Sequence, residues 1–237
     1  DGLRQIHGAE FDEFIQSKLA AVAGDLTLDN LGIEPSVYEQ LAQSVDIVIN
    51  SAASVVFTER VDFALELNTL GPSRMLEFAK HCGNAAFIQV STAYVNGRRS
   101  GLIPEEPFTP NTTIAQITNE APEQHFELDE EIRWLKQLTS EVTEASQNPD
   151  LTCRFDRLLD RQNREKRVTQ PHRAQQLDAM RSHWVEKTLV DTGIQRAREL
   201  GWYDNYTYTK ALAEQLIVRD HGDLPVLIVR PSIIESS

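Results

Sequence analysis

The sequence is poor in the residues that would bind a metal, span a membrane or staple a secreted fold. Its only cysteines, Cys82 and Cys153, lie far apart and have no histidine partner at metal-ligand spacing. That argues against a disulfide framework and fits reduced thiols in an intracellular protein. No run approaches the roughly eighteen apolar residues of a membrane helix, and the opening DGLRQIHGAEFDEF lacks an apolar signal core. The expectation is a soluble, cytoplasmic chain with no transmembrane segment. None of the six histidines sits in an H-E-x-x-H spacing, Ser91 lies in no G-x-S-x-G elbow, and no metal is assigned. Basic charge is scarce as well: a formal net charge of −13 and a pI near 4.9 exclude a nucleic-acid surface, which requires a basic stripe.

The exception to that acidity runs from Arg154 to Arg198, where 11 Lys and Arg face 6 Asp and Glu. Such a segment could grip an anionic ligand, such as a coenzyme A phosphate or an acidic carrier protein. A solvated helical face is the plainer reading.

Short apolar runs bounded by turn residues recur at Lys18–Thr27, Val45–Ser54, Ala85–Tyr94 and Leu224–Ile234. Apolar on both faces and rich in Val and Ile, they predict strands buried in a parallel sheet. Helical patterns fall between them, in SVYEQLAQS, in RVDFALELNTLGPSRMLEFAKHC and in YTYTKALAEQLIVRDHG. The alternation predicts an α/β fold, a Rossmann-like doubly wound parallel sheet. Residues 102–200 contain no convincing strand. They open as a loop and then read as helices at EEIRWLKQLTSEVTEAS and HRAQQLDAMRSHWVEKTLVDTGIQRARELG, the second ended by Gly201, so they are expected to form a helical insertion. A dinucleotide-binding sheet normally opens with a strand and a glycine-rich turn, yet none of the 11 glycines makes a G-x-G. The expectation is therefore a partial NAD(P)-binding domain over residues 1–237, without the N-terminal strand-turn and without a C-terminal substrate part.

The stretch YDNYTYTKALAEQL poses the chemical question. Tyr206 and Lys210 stand four apart in a helical pattern and share a face. A phenol titrates near pH 10, too high for acid-base work at neutrality, and an adjacent ammonium would lower it. Tyr208 faces another way, and Tyr203 lies two turns off. Strand FIQV ends in Ser91 and Thr92, and a hydroxyl at the carboxyl end of such a strand points into the ligand crevice. There it could hold a carbonyl beside the phenol. Packing of an aromatic on a lysine stem, and a hydroxyl satisfying the backbone after a strand, are the structural alternatives.

Taken in order, VAGDLT, INSAAS, ELNTLG, IQVSTAYVNG, YTYTK and LIVRPSII resemble an extended short-chain dehydrogenase/reductase. The wording of INSAASVVF, IQVSTAYVNGRRSG and GWYDNYTYTKALAEQL is similar to that of the fatty acyl-CoA reductases, particularly the bacterial ones. The resemblance implies NADPH-dependent reduction of a long-chain acyl-CoA, or of a thioester on an acyl carrier protein, to the aldehyde, with the alcohol as a further product where a second hydride is delivered. It implies Tyr206 as proton donor and Lys210 as the residue that binds the nicotinamide ribose and depresses the phenol pKa. Thr92 would hold the carbonyl, with Ser91 as second choice, and Asn68 would support the site. Asp25 and Leu26 would lie against the adenine, Ala52 and Ala53 along the dinucleotide backbone, and Pro231, Ser232 and Ile233 beside the nicotinamide. Peripheral membrane contact is compatible with such a substrate. The preference for NADPH comes from the resemblance alone, since no basic residue that would select a 2′-phosphate is found. A thioester-releasing reductase domain, a nucleotide-sugar epimerase or dehydratase, and a non-catalytic dinucleotide-binding protein remain as alternatives.

Overall fold

The structure is a computed structural model that describes residues 2–166 and 173–233. Three strands form one parallel sheet in the order β1 (Ile47–Asn50), β2 (Ala86–Val90) and β3 (Val226–Val229). Asn50 is level with Gln89, and Phe87 with Val226. Each strand is the centre of an apolar run and carries Val and Ile, residues a pleated surface favours.

The run Lys18–Thr27 does not become the expected strand. Lys18 ends a helix, residues 19–25 belong to no strand, and Leu19 and Val22 stand exposed. A parallel strand exists only as one side of a hydrogen-bonded ladder, and among the described residues none pairs with this run.

Helices α1 (Gly2–His7), α2 (Phe11–Lys18) and α3 (Pro35–Ala42) precede β1. Pro35 supplies the preset first turn of α3, and the Glu34 carboxylate accepts from the Ser36 and Val37 N–H groups. Between β1 and β2 runs one rod made of α4 (Val61–Leu65), a π turn (Glu66–Leu70) and α5 (Gly71–His81). The π turn has a local cause: Pro72 has no N–H for the Asn68 carbonyl, and Gly71 N–H reaches back five residues to Glu66.

Between β2 and β3 lie α6 (Ile114–Ile117), α7 (Leu128–Ala145), α8 (Pro149–Lys166), α9 (Arg173–Glu199) and α10 (Asn205–Asp220). The segment expected to be a helical insertion carries no strand among its described residues. The sequence pattern does not announce α8, because among its described side chains only the i, i+4 pair Phe155 and Leu159 is buried, amid charged residues. Gly201 ends the α9 region at φ +99°, a left-handed turn that glycine adopts without strain.

Two apolar cores result. One joins α4, α7, α9 and α10 through Val61, Leu65, Leu135, Leu189, Trp202 and Tyr208. The other lies under the sheet, where Leu76 and Ala79 of α5 and Ile217 of α10 cover Val48 and Phe87. Helix α10 belongs to both and is buried on nearly every side, which is why its sequence lacks a clean apolar stripe. A fully buried Leu or Ile is worth about 1.5–3 kcal/mol, so both cores lean heavily on this helix.

Candidate active site

The carboxyl ends of the three strands meet along one edge, where the chain leaves β1 at Ser51–Ala53, β2 at Ser91–Thr92 and β3 at Pro231–Ile233. Two backbone bonds beyond the regular ladder pin the exits together, Ser91 N–H to Val229 O at 2.7 Å and Ala93 N–H to Pro231 O at 2.8 Å. Thr92 is extended and caps a 3-10 turn at Ala93–Asn96, its Oγ accepting from Tyr94 N–H at 3.3 Å. Its own hydroxyl proton stays available for another acceptor. Ser91 Oγ is buried and has no hydrogen-bond partner. A buried hydroxyl without a partner is costly and marks a place where a ligand atom would be welcome.

The loop after β2 is held from the other side. Trp202 Nε1–H donates to Val95 O at 2.7 Å, and Arg98 N–H to Gly201 O at 3.1 Å. Gly97, at φ +52°, packs so closely on Gly201 that an added Cβ would lie 2.4 Å from the Gly201 carbonyl oxygen. The end of the helical insertion is thereby fixed to the loop that carries Thr92.

Helix α10 brings in Tyr206 and Lys210. Asp204 caps it by accepting from Thr207 N–H at 2.8 Å. Tyr206 is half-buried, with the Phe57 ring edge-on at 5.7 Å between centroids. Burial raises its pKa above the ordinary value, the Thr92 hydroxyl pulls it back down by hydrogen bonding, and Asp204 adds a smaller upward push. The Thr92 hydroxyl and the Tyr206 phenol thus stand near each other. The expected depression of the phenol pKa by Lys210 is not found: the lysine is 2% exposed, and its Nζ donates to Val90 O at 3.0 Å. Burial lowers the lysine pKa to about 8, and Glu214 works against that shift. Glu214 is itself fully buried and held by Arg230 Nε at 3.1 Å.

Asn68 sits in the π turn, fully buried. Its Oδ1 accepts from Ser54 N–H at 2.9 Å, and its Nδ2 donates to Ser54 O at 3.1 Å and to Thr209 Oγ at 3.3 Å. It therefore braces the loop after β1 against α10. Ser54 Oγ continues to Glu59 at 2.9 Å, a link that no local pattern announced.

Ala52 is exposed and Ala53 half-buried on the β1 exit; Pro231 is half-buried, and Ser232 and Ile233 are exposed. Asp25 and Leu26 lie beside the start of α5, where Leu26 O accepts from Arg74 at 2.9 Å. The Asp25 carboxylate bonds the Thr27 hydroxyl and N–H, which lowers its pKa. A cleft of about 560 Å³ between α4 and α7, lined by Arg60, Asp62, Phe63 and Lys136, contains none of the site hydroxyls. The convergence of hydroxyls at the strand ends, rather than the size of that cleft, marks the site. The basic segment meets nearby carboxylates, Arg173 with Asp156 and Asp160, Lys187 with Asp191 and Arg196 with Glu131. Among the described residues no helix is long and apolar enough to cross a membrane.

A family model described as male sterility protein matches residues 4–237. Fatty acyl-CoA reductase 2, chloroplastic, of Arabidopsis thaliana is 36% identical over 237 residues, covering 99% of this chain and 32% of that protein. The alcohol-forming fatty acyl-CoA reductase of Simmondsia chinensis is 32% identical over 237 residues, 99% of this chain and 40% of that protein. The chain thus spans between about a third and two fifths of the length of these relatives. Among solved structures, the terminal R domain of the myxalamid PKS-NRPS pathway aligns over 93% of this chain and 35% of its own, with a TM-score of 0.46 and 16% identity.

Proposed function

The chain belongs to the male sterility protein family, and on that premise we propose that it forms the cofactor and proton-donor part of an NADPH-dependent reductase of long-chain acyl thioesters. The observation that carries this reading is the meeting of the Thr92 hydroxyl with the Tyr206 phenol, one residue from a buried Ser91 hydroxyl that lacks a partner.

The strand edge suits a nicotinamide dinucleotide on the chemistry of its donors, an unpaired hydroxyl and a buried ammonium that meets a backbone carbonyl. Asp25 and Leu26 would hold the adenine end, Ala52 and Ala53 the dinucleotide backbone, Lys210 the ribose, and Pro231, Ser232 and Ile233 the nicotinamide. When bound, that group supplies the hydride. The substrate carbonyl oxygen would lie between Thr92 and Tyr206, where two hydroxyl donors stabilise negative charge as it develops. Departure of the thiolate leaves an aldehyde. A second reduction at the same place, with Tyr206 giving its proton to the alkoxide, would yield the alcohol. A phenol is protonated at neutral pH and burial reinforces that, so Tyr206 is loaded as an acid before substrate arrives. In this reading the enzyme is cytoplasmic and is supplied by acyl-CoA or acyl carrier protein.

Replacing Tyr206 by Phe in the full-length protein tests this. Thioester-dependent NADPH oxidation should fall on the order of 10²–10⁴-fold with cofactor affinity retained. Near-normal turnover would overturn the assignment.

A further inference from the structure

Two buried amides next to the site have no part in the chemistry above. On the covered face of the sheet, Val48 and Phe87 are followed by Asn50 and Gln89, level with each other and 2% and 0% exposed. Apolar side chains would fill that row more cheaply, since amides in a sheet core are tolerated only when their donors and acceptors are used. Here they are used in a chain. Ala52 N–H donates to Asn50 Oδ1 at 3.3 Å, and Asn50 Nδ2 to Gln89 Oε1 at 3.0 Å. Gln89 Nε2 then donates to Val90 O at 2.9 Å, and the same oxygen accepts from Lys210 Nζ at 3.0 Å.

The ladder explains what this chain accomplishes. Bonds between β1 and β2 begin with Ala86 N–H to Asp46 O, and parallel pairing repeats every second residue. Continued by the register, the next donor for Val90 O beyond Asn50 is Ala52 N–H. Asn50 Oδ1 takes that N–H instead. The ladder therefore stops one bond short, and the Val90 carbonyl is left for a side chain. We propose that Asn50 and Gln89 are positioning residues: Asn50 withdraws Ala52 N–H from Val90 O, and Gln89 aims the released carbonyl at Lys210.

This rests on the reductase reading for its catalytic meaning, but its geometry does not. The ionisable groups near Lys210 are Tyr206 and Glu214 on its own helix and Arg230 after β3, which pairs with Glu214. The sheet side contributes Asn50, Gln89, Ser91 and Thr92, and the π turn Asn68 and Thr69, none of which titrates in the working range.

The test is an NMR titration of the Lys210 ε-carbon in full-length protein labelled with 13C-lysine, with Lys210→Met used to assign the signal. Asn50→Val should return Ala52 N–H to Val90 O and deprive the ammonium of its acceptor, moving its titration down by about one pH unit. Gln89→Glu keeps the side-chain volume and places a carboxylate beside the ammonium, moving the titration up by about as much. Opposite shifts support the proposal, whereas unchanged titration in both folded variants overturns it. Should Asn50→Val fail to fold by circular dichroism, Gln89→Glu decides alone. The activity arm is separate. If the reductase reading holds, Asn50→Val lowers kcat about tenfold with the thioester KM within about twofold, and Gln89→Glu carries the high-pH limb of kcat/KM upward. Absence of thioester reduction by the unsubstituted protein would sink the reductase reading and leave the NMR result to judge the positioning.

Discussion

The two sides of helix α10 differ in how completely they are closed. Toward α7 and α9 it is sealed by Leu135, Leu189 and Trp202, and the buried Tyr208 hydroxyl is paired inside. The Tyr208 hydroxyl donates to Glu131, whose carboxylate also receives Arg196 in two bonds, and burial beside that carboxylate holds the phenol well above its usual pKa. Toward the sheet Tyr206 stands half open, and the sheet itself is closed on one face only. One face of the strands is covered, while on the other Ile47 is 56% exposed, Ile49 61%, Leu227 56% and Val229 41%. The site lies along the seam, where Tyr206 is half open and Lys210 is enclosed. The contrast teaches that the helical insertion fixes where α10 stands, whereas the sheet supplies what α10 is aimed at.

The comparison breaks most visibly at Arg196. Replacing it with Leu leaves the Glu131 carboxylate buried without its cation, and urea unfolding should show a loss of about 3–5 kcal/mol. The double change with Glu131→Leu removes the buried charge but leaves the Tyr208 hydroxyl without its acceptor, so it should recover only part of that loss. A loss below about 1 kcal/mol would mean that the helical side is no tighter than the sheet side.

Lys210 sharpens the contrast through pH. Its pKa falls from 10.5 in the unfolded chain to about 8 in the fold. Below pH 8 both states are protonated and the fold bears the full cost of the buried ammonium; between about 8 and 10.5 the unfolded state binds more protons, so stability rises with pH. Lys210→Met should therefore stabilise the protein by roughly 3 kcal/mol near pH 7, with the gain shrinking through that window, as thermal melts at several pH values would record. Activity should be lost in the same variant. The smallest effect belongs to the open face: Leu227→Thr should change the stability of the 237-residue chain by less than about 0.5 kcal/mol. A cost of about 2 kcal/mol or more would show that something packs there.

Much of this was legible in the sequence, though unevenly. The strands at Ile47–Asn50, Ala86–Val90 and Val226–Val229 follow from runs rich in Val and Ile, and the place of Ser91 and Thr92 just past β2 follows from where FIQV ends. The run Lys18–Thr27 is apolar too, but it holds one Val and no Ile, and an apolar run says nothing about whether a neighbour is available. The direction in which Lys210 points was also hidden, because the Val90 carbonyl lies 120 residues earlier. So was the bond from Tyr208 to Glu131, across 77 residues. The polar letters in VIN and FIQV were the one available hint of Asn50 and Gln89: two amides set in otherwise apolar strand ends.

The extra residue in the rod between β1 and β2 bears on all of this. Inserting one residue into a helix rotates every later side chain by about 100°. Ahead of the π turn, Val61 and Leu65 face the helical core; beyond it, Leu76 and Ala79 face the sheet. A single length of backbone thus changes allegiance midway, and Asn68 stands at the pivot, so the brace between the β1 exit and α10 is also the axis about which the two halves are phased.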